Sequence, residues 1–178
     1  NSGKTHAAAA CCYALSSMGK GVRAAKITGT ASLKDILLMN DCGAEHVADF
    51  TYFGYPSTYQ MREAQLLSMF RTFDMKYGND PANYIVIEFA DGIFQRETAM
   101  LLKMPEIRQR ISKLVFCAPD STAVFGGIQA LRDKFGLVPD AISGLCSSSP
   151  LAIREIQEFT DIPILQSMEK DYKKYSAL

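Results

Sequence analysis

Asn1-Ser2-Gly3-Lys4-Thr5 opens the chain and runs without a break into His6-Ala7-Ala8-Ala9-Ala10. The first five residues match the last five positions of the phosphate-cradling pattern G-x-x-x-x-G-K-[ST]. Each residue type has a chemical reason to be there. Gly3 lets backbone N–H groups curl around phosphate oxygens. Lys4 carries a point charge to the β and γ phosphates. Thr5 offers a hydroxyl to Mg2+. Asn1 and Ser2 belong to the same nucleotide-binding turn, and the helix after it adds its positive N-terminal end. The plainer alternative is a loop lysine ahead of an ordinary helix. If the pattern is whole, the chain begins inside it. An apolar strand is then expected just upstream, with a glycine five positions before Gly3.

The residues downstream favour the phosphate reading. Lys4 to Met18 is Ala-rich and predicts a helix, stopped by Gly19 and Gly21. Val22 to Thr28 reads as a strand, Ser32 to Asp41 as a helix, and His46 to Phe50 as a brief strand. Ser57 and Gln60 form a capping-box pattern, and Leu66, Phe70 and Phe73 then fall on one helical face. Gly78 to Pro81 reads as a turn. Tyr84 to Phe89 (YIVIEF) is the best signal for a buried strand in the chain. Helix and strand patterns go on alternating. Gln95 to Lys103 is a helix, Leu114 to Cys117 a strand, and a helix capped by Asp120 or Ser121 comes next. Ala141 to Leu145 is a strand, Ser149-Pro150 opens a helix to about Phe159, and Ile162 to Leu165 is a last short strand. Such alternation implies an α/β fold, a mostly parallel sheet with helices on both faces, in a single domain over residues 1–178.

Composition excludes several classes. The chain has 178 residues, 19 Lys+Arg against 19 Asp+Glu, and 48% hydrophobic residues. A zero formal charge argues against an extended basic face for nucleic acid or an acidic membrane. The apolar run from Ala7 to Leu15 is too short to span a bilayer. The five cysteines show no CxxC pair and no zinc-finger spacing, and an odd count in apolar company suits a reducing cytoplasm. His6 and His46 stand alone.

A phosphate site needs an acid at the end of a core strand to hold Mg2+ or its water. Glu88 closes the YIVIE run, and Asp91 in the next turn is the second candidate. Either could instead merely cap a strand-to-helix turn. The guanine-reading pattern N-K-x-D is absent, which favours ATP over GTP. Lys26 lies at the C-terminal end of a strand, the edge where open parallel sheets bind ligands. A cation there could neutralise charge on a transferring phosphoryl group; a solvated surface lysine is the alternative. Asp35 reads equally as a helix-surface charge. Arg96 could hold an anionic substrate or pair with a nearby carboxylate. Tyr55, in the aromatic loop Tyr52-Phe53-Gly54-Tyr55-Pro56, could line a substrate pocket, a subunit interface or the core.

The order of these motifs resembles the dethiobiotin synthetase and cobyrinic acid synthase-like branch of the P-loop NTPases. Ser2 to Thr5 carries the P-loop end. Ala25-Lys26-Ile27-Thr28-Gly29 is similar to the family's Y-K-P-V-x-S-G segment, and Glu88 with Asp91-Gly92 to its V-E-G-A-G-G strand end. The resemblance implies a three-layer α/β/α fold whose central first strand lies upstream of this chain, so that the upstream segment is itself a partner. It implies Mg·ATP as cofactor, with Thr5, Asp35 and Glu88 on the metal and Lys26 on a substrate carboxylate or carbamate. It also implies a loop near Gly144-Leu145-Cys146-Ser147 where Ser147 meets adenine, and a homodimer. The chain departs from the pattern at Phe89-Ala90-Asp91, at Ile27 and at Ser147-Ser148-Ser149, so the biotin-pathway substrate is not carried over. The leading expectation is an ATP-dependent enzyme that activates a small molecule's carboxylate or carbamate. A regulatory or assembly ATPase that switches a protein partner, and a small-molecule kinase, are the alternatives.

Overall fold

A computed structural model describes residues 2–77, 83–166, 174, 175 and 178. The expected turn at 78–81 and the charged tail from Glu169 to Lys173 lie outside the described residues. Helix α1 (Lys4–Ser17) begins where the alanine run does and ends two residues before Gly19. It is followed by β1 (Gly21–Lys26), α2 (Leu33–Asp41), β2 (His46–Asp49), α3 (Glu63–Tyr77) and β3 (Asn83–Glu88). Next come α4 (Arg96–Lys103), α5 (Pro105–Arg108), β4 (Val115–Cys117), α6 (Ser121–Ala130), β5 (Ala141–Ser143) and α7 (Pro150–Gln157). A π turn over Leu131–Phe135 prolongs α6.

The fold is α/β and every strand pairing between named strands is parallel. The strands form two sheets. One has the order β2-β1-β3 and the other is the pair β4-β5. The three-stranded sheet is covered on both faces. Val22, Ala24 and Val86 meet α1 and α2 through Ala8, Cys12, Ile36 and Met39. Ala25, Ile27, Ile85 and Ile87 meet α3 and α4 through Leu66, Met69, Phe70 and Leu101. Helices on both faces are why β3 reads as an unbroken apolar run, although Ile85, Val86 and Ile87 stay half-buried and Tyr84 is exposed. The second sheet packs Ile142 and Phe116 against α6 and α7. Helix α1 lies over both sheets, with Ala10 and Ala14 against Ala141.

Two expectations change. Ser57 and Gln60 do not open α3. Ser57 Oγ donates to the Gly29 carbonyl at 3.1 Å and accepts from Tyr59 N, and Gln60 sits at φ 61°. The helix starts six residues after Ser57, where Gln65 Oε1 accepts from Arg62 N at 3.0 Å. The last strand shrinks to one bridge between Ile142 and Ile164, because Pro163 has no N–H to continue a ladder. All five cysteines are free, and burial pushes Cys11 up to about 11 and Cys117 up to about 12. Among the described residues no helix is long and apolar enough to cross a membrane.

Candidate functional site

Side chains alternate along a strand, so Lys26 shares the face of Val22 and Ala24, and Glu88 shares that of Val86. That face is the one α1 and α2 cover. The parallel register sets Lys26 opposite Glu88 on one side and Asp49 on the other. All three close their strands. The first turns of α1 and α2 then hang over this edge, and each lowers one side chain into it.

From α1, Thr5 Oγ1 donates to Glu88 Oε1 at 3.1 Å, across 83 residues of sequence. Glu88 is only 5% exposed, and its Oε2 is buried with no hydrogen-bond partner. From α2, Asp35 Oδ2 accepts from Lys26 Nζ at 2.6 Å, and Lys26 also donates to the Thr30 carbonyl at 2.9 Å. Both side chains of this ion pair are largely buried, at 6% and 15% exposure. Removing one partner from such a pair costs about 3–5 kcal/mol. Burial pushes the Glu88 carboxyl above the usual carboxylate range; the Thr5 bond and the Lys26 charge oppose this without cancelling it. Lys4 Nζ donates to Ser2 Oγ at 3.2 Å, and its charge also reaches Glu88.

The turn ahead of α1 leans on the turn after β5. Gly3 has φ 82°, and a Cβ there would stand 3.0 Å from Gly144 Cα. Gly144 has φ 97°, and a Cβ there would stand 2.2 Å from the Ser2 carbonyl oxygen. Leu145 N donates to that same oxygen at 3.2 Å. Two glycines back to back thus bring the Ser2–Thr5 turn to the end of the second sheet.

The other expected residues scatter around this edge. Asn1 lies outside the described residues. Ser147 is fully buried, with its hydroxyl donating to the Gly144 carbonyl at 2.6 Å, so the exposed groups of that turn are Leu145 and Ser148. Asp91 is exposed at φ 65°, its carboxylate facing Gly29 across the mouth of the site. Arg96 pairs with a carboxylate, donating to Glu97 Oε1 at 2.8 Å and to the Met61 carbonyl at 3.0 Å. Tyr55 packs on the core and lines a cavity of about 310 Å3 with Phe53, Gln65 and Met69, which shares no residue with the strand-end cluster. His6 and His46 are both exposed.

The sequence pattern gave no warning of the groups that shape the rim. Glu97 is 1% exposed and accepts from Gln60 N at 2.8 Å, from Arg96 and from the Gln95 side chain. It pins the 57–61 loop, where Thr58 Oγ1 accepts from Gly29 N at 2.9 Å. Thr28 and Thr98 share a 2.9 Å hydrogen bond, and both meet the backbone of Ala90. The one signal that could have found them is the Gln95…Thr98 helix start, where Gln95 Oε1 accepts from Thr98 N.

Among the described residues no group of three or more His, Cys, Asp or Glu side chains gathers to hold a metal. The orphaned Glu88 oxygen and the adjacent Thr5 hydroxyl suit a hard cation that fills its other positions with phosphate oxygens and water, as Mg2+ does. The chain matches no protein-family model, no curated protein and no solved structure.

Proposed function

We propose that the protein binds Mg·ATP at this strand edge, in a P-loop fold, and uses it to activate a carboxylate or carbamate of a small molecule. The observation that carries the reading is Glu88. Its carboxylate ends β3, accepts from the threonine of a Ser-Gly-Lys-Thr turn, and keeps one oxygen buried without a partner. Burying a carboxylate this way is costly unless something binds it. Thr5 and Glu88 would hold Mg2+, directly or through its water, and the ion would supply charge neutralisation on the β and γ phosphates. Lys4 carries the charge for those phosphates. Lys26, two hydrogen bonds already spent on Asp35 and Thr30, has one N–H left for the acceptor acid or the γ phosphate.

In the reaction, an oxygen of the acid attacks the γ phosphorus. The bond from that phosphorus to the β,γ-bridging oxygen breaks, and its electron pair leaves on ADP. The product is an acyl phosphate, ready for amide formation or ring closure. The two lysines stabilise charge that moves but is not created, so fixed positive groups suffice. The test is ADP release in the presence of a panel of small mono- and dicarboxylic acids and amines with bicarbonate. The reading expects ADP release at least tenfold above the ATP-only rate with one member of the panel, and its loss in Lys26→Ala. Turnover that no acid stimulates but a protein fraction does would favour the partner-switching ATPase instead.

A further inference from the structure

We infer that Glu97 is a positioning residue of the strand-edge site: it holds the 56–61 loop, and through that loop it fixes where the Lys26 ammonium points. Its part in turnover rests on the function proposed above; the positioning itself does not. Lys26 ends on a flexible four-carbon stem, so its aim is set by what the ammonium meets. One of its two partners is the Thr30 carbonyl, at 2.9 Å. That carbonyl belongs to the 29–31 turn, which lies outside any helix or named strand. The 56–58 segment holds the turn. Ala31 N donates to the Pro56 carbonyl at 3.0 Å, Thr58 N to the Gly29 carbonyl at 2.9 Å, and Gly29 N to Thr58 Oγ1 at 2.9 Å. Thr30 and Ser57 form an antiparallel bridge among these contacts. The turn also presses on the lysine itself. Gly29 has φ 109°, and a Cβ there would stand 3.5 Å from Lys26 Cε.

The 56–58 segment is no more regular than the turn it holds, so it needs an anchor of its own. Arg96 and Glu97 provide one. Glu97 accepts from Gln60 N at 2.8 Å, and Arg96 Nη1 donates to the Met61 carbonyl at 3.0 Å. One carboxylate and one guanidinium thus take up the backbone of two successive residues. Gln60 stands at φ 61°, which a residue with a side chain keeps only where its surroundings impose it. Glu97 is 1% exposed, and a carboxylate buried this far is costly unless donors surround it. Its donors are Gln60 N, Arg96 and the Gln95 side chain. Burial opposes its charge, yet these hydrogen bonds outweigh burial and hold the carboxyl below the usual range. A leucine would fill the same space, but only an acceptor there can orient the Gln60 N–H. The next residue, Thr98, bonds to Thr28 and to the Ala90 carbonyl, just past the ends of β1 and β3. Three successive side chains of one helical turn therefore grip the three segments beside Gly29.

The test uses the full chain with Glu97→Gln and, separately, Thr58→Val. Gln keeps the size of Glu97 but carries no charge and puts a donor where an acceptor stood. Val keeps the shape of Thr58 but cannot accept from Gly29 N. It leaves every charge in place, so it decides the question should Glu97→Gln not fold. NMR follows the Lys26 Cε–H signal in both variants. That signal should move in both, and in Glu97→Gln the Gly29 amide should exchange at least about tenfold faster while amides 22–25 of β1 keep their rate. A Lys26 signal that stays in place in either variant overturns the inference, as does equal speeding of β1. In ADP release with the stimulating acid, kcat should fall about 30-fold or more in both variants, while Mg·ATP binds within about threefold of its natural affinity. A lowered melting temperature with kcat unchanged would make Glu97 structural only and overturns the inference. If the natural protein releases no ADP with any acid, the proposed function falls, and the Lys26 spectra alone decide the positioning.

Discussion

Glu88 couples two properties that pull in opposite directions. Burial holds its carboxyl above the usual range, so the folded protein favours the protonated form more than the unfolded chain does. An acid whose folded value is raised contributes stability below its unfolded value, and loses that contribution as pH rises through the folded value. Glu88→Gln keeps a side chain that can accept from Thr5 but carries no charge. At pH 7 the ligand-free variant should therefore melt no lower than the natural protein, while ATP turnover falls by about 100-fold or more. Thermal melts and ADP release measure the two. A lower melting temperature would show that the charge is stabilising without any ligand. For the same reason turnover of the natural protein should fail on the acid side above pH 4.5, the ordinary glutamate value, because under the proposed function it is the ionised form that would hold Mg2+. At this scale much was legible. Thr5, Lys26, Asp35 and Glu88 could be read because a helix start and a strand end fix where a side chain points. Glu97 could not, because its partner Gln60 lies 37 residues away in a loop with no periodicity.

Turns were harder to read than strands and helices. YIVIE announced β3, and the alanine run announced α1, because burial on a regular element leaves a periodic trace. The expected start of α3 at Ser57 failed for a local reason. The Ser57 hydroxyl that could have capped a helix instead donates to Gly29 in the loop after β1. The end of β5 gives the sharpest prediction at this scale. Gly144 joins Ser143 to the Leu145–Ser148 turn at φ 97°, pressed against the carbonyl oxygens of Ser2 and Ala118. Gly144→Ala should cost about 3 kcal/mol, combining a strained backbone with a clash that backbone atoms cannot relieve. Denaturant unfolding measures it. A cost below about 1 kcal/mol would mean that the Ser2–Thr5 turn and the second sheet are not locked together at this point. The sequence places Gly144 only in the loop that the resemblance implies; nothing in it marks the contact with Ser2, which is distant in the chain and meets Gly144 only in the fold.

At the scale of the molecule, one helix does two jobs. Helix α1 spans the three-stranded sheet and the β4-β5 pair, and its first turn delivers Thr5 to Glu88. The α/β alternation and the parallel pairings could be read from the sequence; the division into two sheets could not, because periodicity describes an element and not its neighbours. The site sits at the C-terminal ends of β1 and β3, where open parallel sheets place their ligands. Everything proposed for the protein's chemistry depends on that edge accepting a metal-bound triphosphate. Calorimetric titration of Mg·ATP into the full chain, alongside Lys4→Ala, tests this most directly. Saturable binding at one site, dependent on Mg2+ and weakened about 100-fold or more in the variant, is the expected result, since a phosphate there would lose its charged donor. No binding to the natural protein, or equal binding by both, would contradict it.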